Sequence, residues 1–184
     1  MSILIIDSDP KECEEQERLL KKAGYAYISS VSTMKDALSA LGIEITGNPG
    51  ATTTAGIDLV IVSLATIEDC AEISRRIKDS FHYQDVPIIV ATSAATADAL
   101  PFVIAYGAFD FIRKPYSELE YLARVRSAIK LKHEMDRRKA REKELIEATR
   151  QLADLNSMLV RLSLVDSMTG VANRRSFDRI LDKE

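Results

Sequence analysis

The chain has 184 residues, of which 46% are hydrophobic and 29% charged, with a net charge of -3. That length holds one packed domain plus an appendage, and the slight acidity argues against nucleic acid or an anionic membrane as a partner of the whole chain. Cys13 and Cys70 lack the spacing of a zinc site or a disulfide scaffold; with too short an apolar run in "MSILIIDSDP" for a signal peptide and no run long enough to span a bilayer, a cytoplasmic protein is expected.

The first strand is predicted at "ILII" (3–6), followed by an amphipathic helix at about 10–23. The second strand falls in "YAYISSV" (25–31) and the second helix at 33–41. "TGNPGATTTAG" (46–56) has turn chemistry and no periodicity, so it reads as a surface loop. "IDLVIV" (57–62) and "VPIIVA" (86–91) are further strands, separated by a helix at 67–80, and a helix at 97–106 leads to the strand "FDFI" (109–112). Strands that are apolar throughout, alternating with helices, indicate an α/β domain: a doubly wound parallel sheet of five strands covered on both faces. In such sheets the functional edge lies at the strands' carboxyl ends.

That edge gathers Asp7, Ser8 and Asp9 from the first strand, Ser63 from the third, Thr92 and Ser93 from the fourth, and Lys114 from the fifth. Carboxylates, hydroxyls and one lysine together suit a small anion or a hard cation such as Mg2+. Singly, an Asp or Ser at a strand end is commonly a helix cap.

In order and spacing, "ILIIDSDP", "DLVIVS", "VPIIVATS" and "GAFDFIRKPY" resemble the receiver domains of two-component response regulators over residues 1–130. The resemblance implies a flavodoxin-like sheet of order 2-1-3-4-5. It also implies an acidic pair and a phosphoacceptor aspartate around Mg2+, with a hydroxyl residue, an inward-turning aromatic and a lysine reading the phosphoryl group. The matching positions here are Asp7 and Ser8 for the acidic pair, Ser63 for the phosphoacceptor, Thr92 for the hydroxyl, Phe111 for the aromatic and Lys114 for the lysine. Two acids are thus replaced by serine, with Asp9 as an additional neighbour in the acidic pocket. A serine hydroxyl is un-ionised and needs an adjacent base to attack, and neither His82 nor His133 lies at the strand ends. The expectation is a degenerate receiver without Asp phosphorylation, in which Mg2+ has only Asp7 and Asp9 as weak ligands and Lys114 pairs with Asp7.

No Gly or Pro occurs between Pro115 and Gly170, and residues 117–164 read as one helix continuing from the receiver. Leu145, Ala148, Leu152, Leu155, Leu159 and Leu162 alternate by three and four residues, the seam of a two-stranded coiled coil. Arg138 and Arg141 interrupt that register upstream. A second self-contact is expected on the helix before the fifth strand, that strand and the helix after it. There core packing accounts for Leu100, Val103 and Ile104, while Phe102 and Tyr106 are assigned to the partner.

Residues 165–184 contain Asp166, Thr169, Gly170, Asn173, Arg174, Arg175 and Phe177 at the spacing D-x-x-T-G-x-x-N-R-R-x-F. This is similar to the opening of GGDEF domains, the diguanylate cyclases. No GG[DE]EF sequence occurs within the 184 residues, so catalysis is not expected of this chain, which has no cofactor of its own on this reading. The resemblance implies a homodimeric regulatory module controlling a C-terminal diguanylate cyclase domain in the parent protein. Two other readings are a receiver phosphorylated at a non-standard site and a basic-region zipper on DNA. Asp136, Glu142, Glu144 and Glu147, interleaved with the basic residues, disfavour the zipper.

Overall fold

The structure, a computed structural model, describes residues 1–43, 56–93, 101 and 104–164, with side chains to residue 160. In chain order its elements are β1 (Ser2–Asp7), α1 (Pro10–Lys22), β2 (Tyr27–Val31), α2 (Met34–Ala40), β3 (Leu59–Ser63), α3 (Ile67–Asp79), β4 (Ile88–Thr92), β5 (Asp110–Arg113) and α4 (Glu118–Leu164). The strands form one parallel sheet in the order β2-β1-β3-β4-β5. This is the flavodoxin-like arrangement expected from the sequence.

Strand alternation divides the core in two. Leu4, Ile6, Val60, Val62, Ile88 and Val90 bury one face with Leu38 of α2 and Ile73 and Ile77 of α3. Their neighbours Ile3, Ile5, Leu59, Ile61, Ile89 and Ala91 bury the other with Leu19 and Leu20 of α1 and Tyr121, Val125, Ala128 and Ile129 of α4. Both faces are covered, so the runs need no polar residue. Each buried aliphatic side chain contributes about 1.5–3 kcal/mol. A charge placed at Ile61, which is fully buried, would cost several kcal/mol because no partner awaits it.

Local chemistry sets the helix starts. Asp9 caps α1 by accepting from the Lys11 N–H, with Pro10 at the first helical position. Thr33 and Thr66 accept from the Asp36 and Asp69 N–H groups and donate back to those carboxylates. Each cap contributes about 1 kcal/mol. The second strand begins at Tyr27, two residues later than the apolar run suggested. Residues 23–25 close α1 instead: Gly24 adopts φ +92°, and the Tyr25 N–H donates to the Leu20 carbonyl.

Between β4 and β5, Pro101, Ile104 and Ala105 are helical. Gly107 then turns the chain at φ +91° against the Lys78 stem, where a Cβ would lie 2.7 Å from Cγ. Lys78 holds that corner by donating to the Gln84 and Val86 carbonyls.

The 47-residue α4 ends the described chain. By internal contacts the protein divides into Met1–Met135 and Asp136–Glu184. In the second unit the described residues are helical, and every side chain from 136 to 160 is exposed. Among the described residues no helix is long and apolar enough to cross a membrane. Most of the 46–56 loop, Phe102 and the whole of 165–184, including Asp166, Thr169, Gly170, Asn173, Arg174 and Arg175, lie outside the described residues.

Candidate functional site at the carboxyl edge of the sheet

The parallel register places Asp7 directly opposite Ser63, and the Ser8 N–H donates to the Ser63 carbonyl, tying the two strand ends together. Next to them, the Lys114 N–H donates to the Thr92 carbonyl beyond β5. The Lys114–Pro115 peptide is cis. These ends surround an open cavity of about 440 Å³ lined by Asp7, Ser8, Asp9, Glu12, Ser63, Thr92 and Lys114, among others. All seven of the residues that the sequence gathers at this edge, Ser93 included, thus share one pocket. Phe111 is half-buried under the Arg124 guanidinium, 5.7 Å from its ring centroid, and does not line the cavity. Arg124 is fixed there by two 2.8 Å hydrogen bonds to Asp110.

Within the pocket Asp7 is 1% exposed, and its oxygens are committed to protein donors. Oδ1 accepts the Asp9 N–H at 2.9 Å; Oδ2 accepts the Gln16 side-chain amide at 2.7 Å and lies 3.5 Å from Lys114 Nζ. Lys114 makes closer contacts elsewhere. It donates to Ser63 Oγ at 2.5 Å and is hydrogen-bonded and ion-paired to Glu12. The expected Lys114–Asp7 pair is therefore present but secondary, because Glu12, one turn into α1, reaches the ammonium directly.

Ser63 is nearly fully buried and accepts a proton donor where a nucleophile would need a proton acceptor. The ammonium that touches it, neutralised by Glu12 and Asp7, cannot take the hydroxyl proton. Mg2+ fits this donor set poorly. The ion needs six oxygen ligands near 2.0–2.1 Å, whereas both Asp7 oxygens and the Ser63 carbonyl already accept hydrogen bonds. An ammonium stands beside Asp7, and the Asp9 carboxylate caps α1. Among the described residues no group of three His, Cys, Asp or Glu side chains could share a metal ion.

The sequence reading overlooked Glu12, Gln16 and Tyr121. Gln16 is fully buried; besides donating to Asp7 it accepts the Tyr121 hydroxyl at 3.2 Å. Tyr121, from the first turns of α4, is fully buried and stacks on Tyr116 with centroids 5.1 Å apart. Burial raises both phenols, Tyr116 to about 12 and Tyr121 further, so both stay neutral and Tyr121 keeps the proton it donates to Gln16.

With that geometry in place, comparison with known proteins is informative. Residues 3–126 match the family Response regulator receiver domain. The chain belongs to that family. YvrH of Bacillus subtilis, described as a transcriptional regulatory protein, is 28% identical over 130 residues, which are 70% of this chain and 49% of YvrH. The regulatory protein VirG of Agrobacterium fabrum is 37% identical over 87 residues, 46% of this chain and 33% of VirG. The chain spans about half or less of these curated relatives. A CheY-like response regulator receiver domain protein from Methanospirillum hungatei shares the fold at TM-score 0.60 and 17% identity, covering 73% of this chain and 97% of that one. The receiver fold and a signalling role follow from these matches.

Proposed function

We propose that this receiver is a regulatory, dimerising module that is not switched by Asp phosphorylation and that controls a C-terminal diguanylate cyclase domain in the parent protein. The observation carrying this reading is Ser63, the side chain at the phosphoacceptor position. It is a buried hydroxyl held by Lys114, whose charge is already matched by Glu12. An acyl phosphate requires a carboxylate nucleophile, and the Mg2+ that assists it would find Asp7 occupied by Gln16. The module thus needs no metal and no cofactor.

Self-association rests on α4. Leu145, Leu152, Leu155 and Leu159 are 57–68% exposed, a row of leucines at a/d heptad spacing that is uncovered among the described residues. Pairing two copies in parallel would bury it; Leu162 continues the spacing beyond the described side chains. On the second expected face, Ile104, Phe109 and Leu119 are exposed. This departs from the core role expected for Ile104 and adds to the apolar area a second copy could cover. Tyr106 is half-buried within its own chain. The cyclase assignment rests on the Asp166–Phe177 pattern. Cyclic di-GMP joins two GTP molecules, which a two-fold dimer would bring together.

Incubation with Mg2+ and acetyl phosphate, followed by intact-mass measurement, tests the reading. The expected result is an unchanged mass. A base-labile gain of one phosphoryl group would favour the alternative, a receiver phosphorylated at a non-standard site.

A further inference from the structure

The pocket is joined to the output helix by buried polar contacts that a phosphorylation switch does not require. Asp7 on β1, Gln16 on α1 and Tyr121 on α4 are each 0–1% exposed, and they form one chain: Asp7 Oδ2 accepts from Gln16 Nε2, and Gln16 Oε1 accepts from the Tyr121 hydroxyl. Buried polar groups persist only where each finds its partner, so displacing one strands the next. At the pocket end, Lys114 Nζ is 3.5 Å from the same Asp7 oxygen that takes the Gln16 amide. The ammonium's closer contacts are with Glu12 and with Ser63 Oγ. Glu12 is the exposed member, with 41% of its side chain open to solvent, and it stands one helical turn before Gln16 on α1. The chain therefore runs from an accessible carboxylate to the helix that leaves the domain.

We propose that Gln16 is the coupling residue of this receiver: it transmits the state of the Glu12–Lys114 pair, through Asp7 and Tyr121, to α4. When Glu12 is drawn away, Lys114 competes with the Gln16 amide for Asp7 Oδ2. The amide then loses its acceptor, and its hold on the Tyr121 hydroxyl loosens at the root of α4. Two discrete arrangements of one buried amide thus bias the output helix. The covered position of Phe111 beneath Arg124 leaves this route independent of the aromatic on β5. The proposal rests on the reading that phosphorylation is not the switch, and its test uses no phosphoryl donor, so the two can fail separately.

The test is hydrogen exchange, resolved by peptide, on the full chain and on Glu12→Gln, Tyr121→Phe and the double variant. Glu12→Gln is expected to speed exchange in the 119–130 segment of α4 by roughly fivefold, the weight of one neutral hydrogen bond, while β3 amides serve as the unmoved reference. Adding Glu12→Gln to Tyr121→Phe is expected to change nothing further in that segment. Gln16→Met, which breaks the chain at its middle, must abolish the response in the same way. A response of equal size with Phe at position 121 overturns the proposal, because the signal would then travel elsewhere. No response of α4 to Glu12→Gln overturns it as well.

Discussion

The Gln16–Tyr121 contact makes a quantitative prediction that can be read from stability alone. Tyr121→Phe keeps the ring that packs on Tyr116 and removes only the hydroxyl that donates to Gln16 Oε1. A buried acceptor is left without its partner, at a cost of about 1–2 kcal/mol. Gln16→Leu does more damage: Asp7 Oδ2 loses its closest donor and the Tyr121 hydroxyl is orphaned, together about 2–4 kcal/mol. In the Gln16→Leu background, Tyr121→Phe removes a hydroxyl that already has no partner, so its cost falls to about zero. The resulting coupling energy is about 1 kcal/mol or more. Urea unfolding followed by tyrosine fluorescence is well suited to the measurement. The chain has six tyrosines and no tryptophan, all six fall at or before Tyr121, and the signal reports the receiver without the helical extension. With a slope of roughly 1.5 kcal/mol per molar, Tyr121→Phe alone should lower the midpoint by about 1 M. An equal loss from Tyr121→Phe in both backgrounds would refute the reasoning, since the two side chains would then not be partners.

Three further outcomes are expected. Ser63→Asp alone will not gain Mg2+-dependent phosphorylation by acetyl phosphate, measured by intact mass, because Ser8 still supplies no second carboxylate and Lys114 remains paired with Glu12. Gly107→Ala will lower the urea midpoint by at least 1 M, because the left-handed backbone strain and the Cβ contact with the Lys78 stem together cost about 2 kcal/mol. Leu152→Lys places a charge in the helical seam and will convert dimer to monomer in sedimentation, while the receiver's urea midpoint moves by less than about 0.5 kcal/mol in free-energy terms.

The parts of the fold that were legible in the sequence are those in which one physical rule dominates. Strands such as Leu59–Ser63 are apolar at every position before the last because both faces of a parallel sheet are covered, and that signal survives without any knowledge of partners. The strand ends carrying Asp7, Ser63, Thr92 and Lys114 followed from the same reading, since a parallel sheet sends all of them to one edge. Glu12 and Gln16 were hidden by their surroundings: "KECEEQER" reads as solvated surface, and neither residue type announces burial. Helical geometry did hold a clue. Cys13, Gln16 and Leu20 repeat at three- and four-residue steps, which puts Gln16 on the core face of α1 among apolar residues, where an amide must find partners. Tyr121 carried a similar signal, standing four residues before Val125 and seven before Ala128 on the buried stripe of α4. That Glu12 reaches Lys114 depends on how α1 leaves β1 through the Asp9 cap. This is a tertiary relation between residues 102 positions apart, and no local pattern encodes it.

On the proposed reading, the site of this receiver is held by internal charges and its output does not wait for phosphate. Sedimentation equilibrium of the chain at micromolar concentration, with and without Mg2+ and acetyl phosphate, tests that account most directly. It predicts the same dimer in both conditions; a monomer that dimerises only when the phosphoryl donor is present would contradict it.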